Sequence, residues 1–168
     1  MFRYIEFMLN GHGWMISIDI GTPAQKPLLT VDTGAPDLHV WSTFLPAEKL
    51  APGVVLYNLW VSSKEVPGES FKQCYHNGCF WGPVRQEYVK VGNLALTNYN
   101  FEMVIDTSWA YKLTGPSSGT IGLARQLTMP TTSTLWLSWV GAIMNFLDSK
   151  LLETDSHSIL LLEFMLTI

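Results

Sequence analysis

The stretch TVDTGAPDLHV (residues 30–40) places Asp32, Thr33 and Gly34 just after Leu28 and Leu29 and just before Val40 and Trp41. A carboxylate at the end of an apolar strand is costly unless hydrogen bonds or a charged neighbour support it, so Asp32 is a candidate for acid–base chemistry. The same three residues also suit an ordinary turn, with the aspartate accepting backbone N–H bonds and the glycine supplying a positive φ. Other chemistries lack their residue patterns. His12, His39, His76 and His157 stand at no mutual metal-ligand spacing, so neither a metal nor a cofactor is expected. No G-x-S-x-G elbow is present for Ser-His-Asp catalysis. GPSSGT (115–120) has the glycines of a phosphate loop but not its lysine. Cys74 and Cys79 form a C-x4-C pair that fits neither redox nor zinc spacing; a local disulfide and two free thiols both remain open, according to the compartment.

The elements that must position Asp32 follow from composition and periodicity. A chain of 168 residues is one domain by length and buries roughly two thirds of its unfolded surface. Apolar residues make up 48% and charged residues 14%, which excludes a disordered chain or a coiled coil. The net charge of −4, with no Lys/Arg run, argues against nucleic acid or an anionic membrane surface as partner. No apolar run reaches the ~20 residues that span a bilayer, and no secretory signal is readable at the amino terminus. Trp14, Trp41, Trp109, Trp136 and Trp139 sit in or beside apolar stretches, where core packing explains them better than a sugar-binding platform.

WMISIDIG (14–21) alternates Met15, Ser17 and Asp19 against Ile16, Ile18 and Ile20, the period of a half-buried strand. GTPAQKP reads as a turn. PLLTVDTG (27–34) reads as a strand covered on both faces. SFKQCY (70–75), RQEYVKV (85–91) and YNFEMVI (99–105) are further strands, punctuated by turns at HNG, GN and TN. WLSWVGAIMNFLDSKLL (136–152) has helical spacing at Trp139, Ile143, Phe146 and Leu147, after a polar linker at 128–134. The expected class is all-β with one late helix.

Several blocks together resemble the pepsin-like aspartic endopeptidases: IGTPAQ (20–25) followed by TVDTGAPDLHV, then CYHNGC (74–79), YVKVGNLALTN (88–98) and SSGTIGLA (117–124). The resemblance covers residues 14–124 closely and 136–168 only loosely. It implies a single domain over 1–168 that is one incomplete, amino-terminal lobe of that fold: orthogonally packed β-sheets, a flap hairpin and one or two short helices. It also implies that Asp32 is catalytic and that Thr33, Gly34 and Ala35 complete its loop. By the same resemblance Tyr75, His76, Asn77 and Gly78 form the flap over a peptide or protein substrate, while Ile121 and Gly122 pack beneath the loop. The compartment implied is secreted or vacuolar.

The chemistry so implied needs two aspartates. Like charges ~3 Å apart at an effective dielectric of ~20 repel by ~5 kcal/mol, so a facing pair shares one proton. The ionised member activates a water and the protonated member donates to the scissile carbonyl. No second Asp-Thr-Gly or Asp-Ser-Gly occurs here; Asp106-Thr107-Ser108 and Asp148-Ser149-Lys150 lack the glycine and read as surface residues. The partner carboxylate is therefore expected from a second lobe or from a second copy in a homodimer; otherwise the chain is a catalytically inactive peptide- or protein-binding module. Ala35 stands where the family has a hydroxyl residue, although retroviral proteases, homodimers of single lobes, also carry alanine there. His39 stands where the family has a tryptophan that supports the flap tyrosine, and Ser118 replaces an aspartate.

Overall fold

The computed structural model describes residues 7–10, 13–59, 62–76, 78–92, 94–108 and 115–123. They form ten strands: β1 (Phe7–Asn10), β2 (Gly13–Ser17), β3 (Asp19–Ile20), β4 (Leu28–Asp32), β5 (Leu38–Trp41), β6 (Lys64–Tyr75), β7 (Gly78–Val91), β8 (Leu94–Val104), β9 (Asp106–Thr107) and β10 (Gly119–Gly122). One 3-10 turn spans Ala47–Lys49. The strands join in a single mixed sheet of order β1-β2-β4-β10-β5-β8-β7-β3, with β6 and β9 pairing along β7. Parallel pairs occur where β10 meets β4 and where β5 meets β8. The long central strand β7 is the hub, since different parts of it pair with β3, β6, β8 and β9.

The period-two reading of 14–21 holds for Ile16, Ile18 and Ile20, which are buried, and for Ser17, which is exposed, but not for Met15, which is buried although the alternation puts it on the open face. The segment divides at Ile18 into β2 and β3, which serve different neighbours, β4 and β7. Three strands are longer than the sequence predicts. β7 runs through Gly82 and Pro83 because neither residue is misplaced there. A Cβ on Gly82 would lie 1.9 Å from the Met103 carbonyl oxygen, so only glycine allows that approach of β8. Pro83 faces Ser70 beside an irregularity of the β6 ladder. The TN turn is a correction: Thr97 and Asn98 lie within β8, where Asn98 takes φ 55° and the register with β7 shifts between Glu87 and Val89. An asparagine in the left-handed region makes a bulge there and the strand continues.

The main core joins Ile18, Ile20, Leu29, Leu38, Val40 and Phe101, and a smaller cluster joins Trp41, Leu45, Phe80 and Val104. Trp41 is 4% exposed, whereas Trp14 is 40% exposed and is not a core residue. The expected helix at 136–152, the linker at 128–134, Trp109, Trp136, Trp139, His12, Asn77 and His157 lie outside the described residues. Among the described residues no helix is long and apolar enough to cross a membrane.

Candidate active site

Asp32 is the last residue of β4. The chain then turns through Thr33–Asp37 and returns as β5, and β10 is threaded between these two arms. β10 runs parallel to β4, with Gly122 beside Asp32, and antiparallel to β5, with Ile121 beside Leu38. The Leu123 amide donates to the Asp32 backbone carbonyl at 2.8 Å and the Gly122 amide donates to that of Asp37 at 2.9 Å. Gly122 lies so close beneath the loop that a Cβ there would meet the Ala35 carbonyl oxygen at 2.3 Å and the Asp37 nitrogen at 2.5 Å. The Asp32 loop therefore rests, backbone on backbone, on the Ile121-Gly122 step, a contact that a side chain at 122 would abolish.

Within the loop, the Gly34 amide donates to Asp32 Oδ1 at 2.7 Å. Gly34 has no positive φ, so the ordinary-turn rationale for that glycine does not apply. Its role is steric: a Cβ would sit 3.2 Å from the same carboxylate oxygen. Asp32 is half-buried, Thr33 and Gly34 are exposed, and Ala35 is buried. β4 is tied to the start of β10 by Ser117, whose hydroxyl accepts from the Thr30 amide at 3.2 Å and donates to the Gly119 carbonyl at 2.6 Å. Ser118 is fully buried and accepts from the Val55 amide at 3.2 Å.

The β6–β7 hairpin carries Tyr75 at its last ladder pair, opposite Gly78. Cys74 and Cys79, the preceding pair, form a disulfide. The Tyr75 ring stacks on Phe80 with centroids 5.9 Å apart, and its hydroxyl accepts from Gln73 Nε2 at 3.3 Å. Burial raises the Tyr75 pKa, and the Asp32 carboxylate raises it further, which places the phenol in the field of that acid. His76 is exposed at the tip. His39 sits in the smaller aromatic cluster, 4.7 Å from the Phe80 ring and 5.1 Å from that of Trp41. Its link to Tyr75 thus runs through Phe80, on which both rings pack. Burial pushes the His39 imidazole down to about 3, so it is neutral at any ordinary pH.

Two acids absent from the sequence reading lie near this site. Asp37 is 7% exposed and burial raises its pKa to about 6. Glu102 is 3% exposed, its Oε2 has no hydrogen-bond partner, and burial together with the Asp37 charge raises its pKa well above the usual range. Asp37 stands in the very stretch that drew attention to Asp32. Glu102 is the one acid in Phe101–Val104, four consecutive buried residues of β8, so its burial follows from its neighbours. Asp106-Thr107-Ser108 is likewise more than surface: it forms β9 and its exit, with Thr107 buried. Among the described residues no three of His, Cys, Asp and Glu converge as metal ligands.

A family model described as eukaryotic aspartyl protease matches residues 13–163. The chain belongs to the eukaryotic aspartyl protease family. The aspartyl protease match spans the Asp32 loop, the disulfide-bearing hairpin and the β10 step alike. Among curated relatives, "Pregnancy-associated glycoprotein 1" of Bos taurus is 31% identical over 93 residues, covering 55% of this chain and 24% of its own length. "Pepsin-3" of Oryctolagus cuniculus is 27% identical over 147 residues, covering 84% of this chain and 38% of its own length. The chain therefore spans well under half the length of either relative. An all-β, pepsin-like lobe agrees with the strands described above.

Proposed function

We propose that this chain supplies one catalytic aspartate, Asp32, to an aspartic endopeptidase that hydrolyses peptide bonds by an activated water. The observation that carries the reading is the arrangement of a half-buried carboxylate, oriented by the Gly34 amide and seated on Gly122, within the electrostatic reach of a tyrosine on a projecting hairpin. In that role Asp32 shares one proton with a facing carboxylate from a second lobe or a second copy. The ionised partner removes a proton from water, and the protonated one donates to the carbonyl oxygen of the substrate. Thr33 and Gly34 face the substrate side, Ala35, Ile121 and Gly122 hold the loop, and Tyr75, His76, Asn77 and Gly78 cover an extended peptide and exclude water. His39 acts through Phe80 to seat the tyrosine. The Cys74–Cys79 disulfide favours an oxidising compartment, as in a secreted or vacuolar protein.

A second reading keeps the same groove and hairpin as a catalytically inactive module that binds a peptide or a protein without cleaving it; the Tyr75–Phe80 stack and the Asp32 loop serve binding alone as well as cleavage. Titrating the purified chain with an extended peptide at acid pH tests the shared element of both readings. Peptide binding that Tyr75→Ala weakens about tenfold or more supports a substrate cleft beneath the hairpin. Specific activity that climbs with chain concentration assigns the dyad to a homodimer. Absence of any peptide affinity would refute both readings.

A further inference from the structure

The two arms of the Tyr75 hairpin are held unequally. The β7 arm is anchored to the body of the lobe: Phe80 and Trp81 pair with Thr107 and Asp106 of β9, and Cys79 exchanges two hydrogen bonds with Ser108. Ser108 in turn accepts from the buried Lys49 Nζ at 2.9 Å through its carbonyl. The β6 arm has one strand neighbour among the described residues, β7, and its ladder is interrupted between Glu65 and Ser70. Ser70–Tyr75 is therefore an outer arm, joined to the anchored one by its ladder, by Phe71 and Tyr75 against Phe80, and by the disulfide. Each cysteine immediately adjoins one ring of the Tyr75–Phe80 stack. Cys74 is exposed to solvent, within reach of an attacking thiolate.

We propose that the Cys74–Cys79 disulfide is a reducible positioning device, which fixes the arm bearing Tyr75 to the anchored arm and releases it when a dithiol reduces the bond. The proposal rests on the reading that this hairpin roofs Asp32, and adds redox control of that roof. In the chemical step, one thiolate of the dithiol attacks the sulfur of Cys74, the exposed residue of the pair, and Cys79 leaves as a thiolate. The second thiol then displaces Cys74, so the protein gains two electrons and two protons and the reagent closes to a cyclic disulfide. The ladder persists after reduction, so the expected result is a looser outer arm on an intact lobe.

Amide hydrogen exchange on the folded full chain, with and without dithiothreitol, tests this. Reduction should speed exchange across residues 70–76 by about tenfold or more and leave β4, β5 and β10 unchanged. A Cys74→Ser/Cys79→Ser variant should exchange quickly at the hairpin without reductant and ignore its addition. If that variant does not fold, reduction of the already folded chain still decides the matter. Unchanged hairpin exchange, or an equal acceleration throughout the lobe, would overturn the proposal. Neither measurement requires cleavage: a hairpin that loosens locally in a chain without peptide affinity would uphold the device and refute the proposed function.

Discussion

Replacing Gly122 by alanine is the sharpest perturbation of the loop that holds Asp32. The added methyl would lie 2.3 Å from the Ala35 carbonyl oxygen, 2.5 Å from the Asp37 nitrogen and 2.6 Å from the Pro36 carbonyl carbon. All three are backbone atoms, so no side-chain rotation relieves the overlap and either β10 or the loop must move. Forced overpacking of this kind costs about 1–3 kcal/mol. The displacement also strains the Gly122–Asp37 and Leu123–Asp32 backbone hydrogen bonds, each worth about 1 kcal/mol. The expected loss is about 3–5 kcal/mol, a large part of the stability of a single domain. At about 2–4 °C per kcal/mol for a domain of this size, Tm should fall by about 6–20 °C, readable by circular dichroism. A Gly122→Ala chain melting within about 2 °C of wild type would refute the claim that the Asp32 loop rests on this step.

Gly34→Ala brings its methyl 3.2 Å from a single side-chain oxygen, Asp32 Oδ1, so stability should change by less than about 1 kcal/mol while peptide binding or cleavage falls about tenfold or more; equal losses of both would contradict a local effect. Asp37→Asn should alter the pH dependence of unfolding. With a folded pKa of about 6 against an ordinary 3.8, Asp37 holds a proton in the folded chain that the unfolded chain releases, so stability falls as pH rises through that window. Asparagine removes this cost, and after allowance for solvent screening it should gain about 1–3 kcal/mol at pH 7 and almost nothing near pH 4; a gain equal at both would refute it. His39 works in the opposite sense: its folded pKa of about 3 against 6.5 means stability is lost as pH falls below 6.5, and His39→Phe should shrink that acid-side loss in urea titrations. An acid-side slope unaltered by His39→Phe would assign the loss to other groups.

The local patterns of the sequence were sufficient for the existence of the strands, because alternation at Ile16, Ile18 and Ile20 records burial directly, whereas the apolar run at Leu28–Leu29 marked β4 but overstated its cover on both faces: Leu29 alone of that strand is buried. They were insufficient for strand limits, since the extension of β7 through Gly82-Pro83 depends on the approach of Met103, a residue far along the chain. The bulge at Asn98 has the residues of a turn and is told apart only by its pairing with β7. At the site, Asp32 stood out because it ended an apolar run, and Gly122 because with Ile121 it matches the family's apolar-glycine step within the SSGTIGLA block. Asp37 was missed because β10, far along the chain, covers its turn, which no local periodicity encodes, whereas the apolar run around Glu102 did carry a signal of its burial. The resemblance pointed from His39 to Tyr75, but not to Phe80, which lies between them in space and on a third strand.

The most direct test compares hydrolysis of an extended peptide at acid pH by the smallest assembly of this chain that cleaves it, a self-associated form or the chain with a second lobe supplied in trans, with and without Asp32→Asn. The substitution preserves size and leaves an oxygen to accept the Gly34 amide, yet removes the carboxyl group that must hold or share the proton. The account predicts unchanged assembly, retained peptide affinity and a rate reduced by about a hundredfold or more. Cleavage by purified Asp32→Asn at the wild-type rate would contradict it.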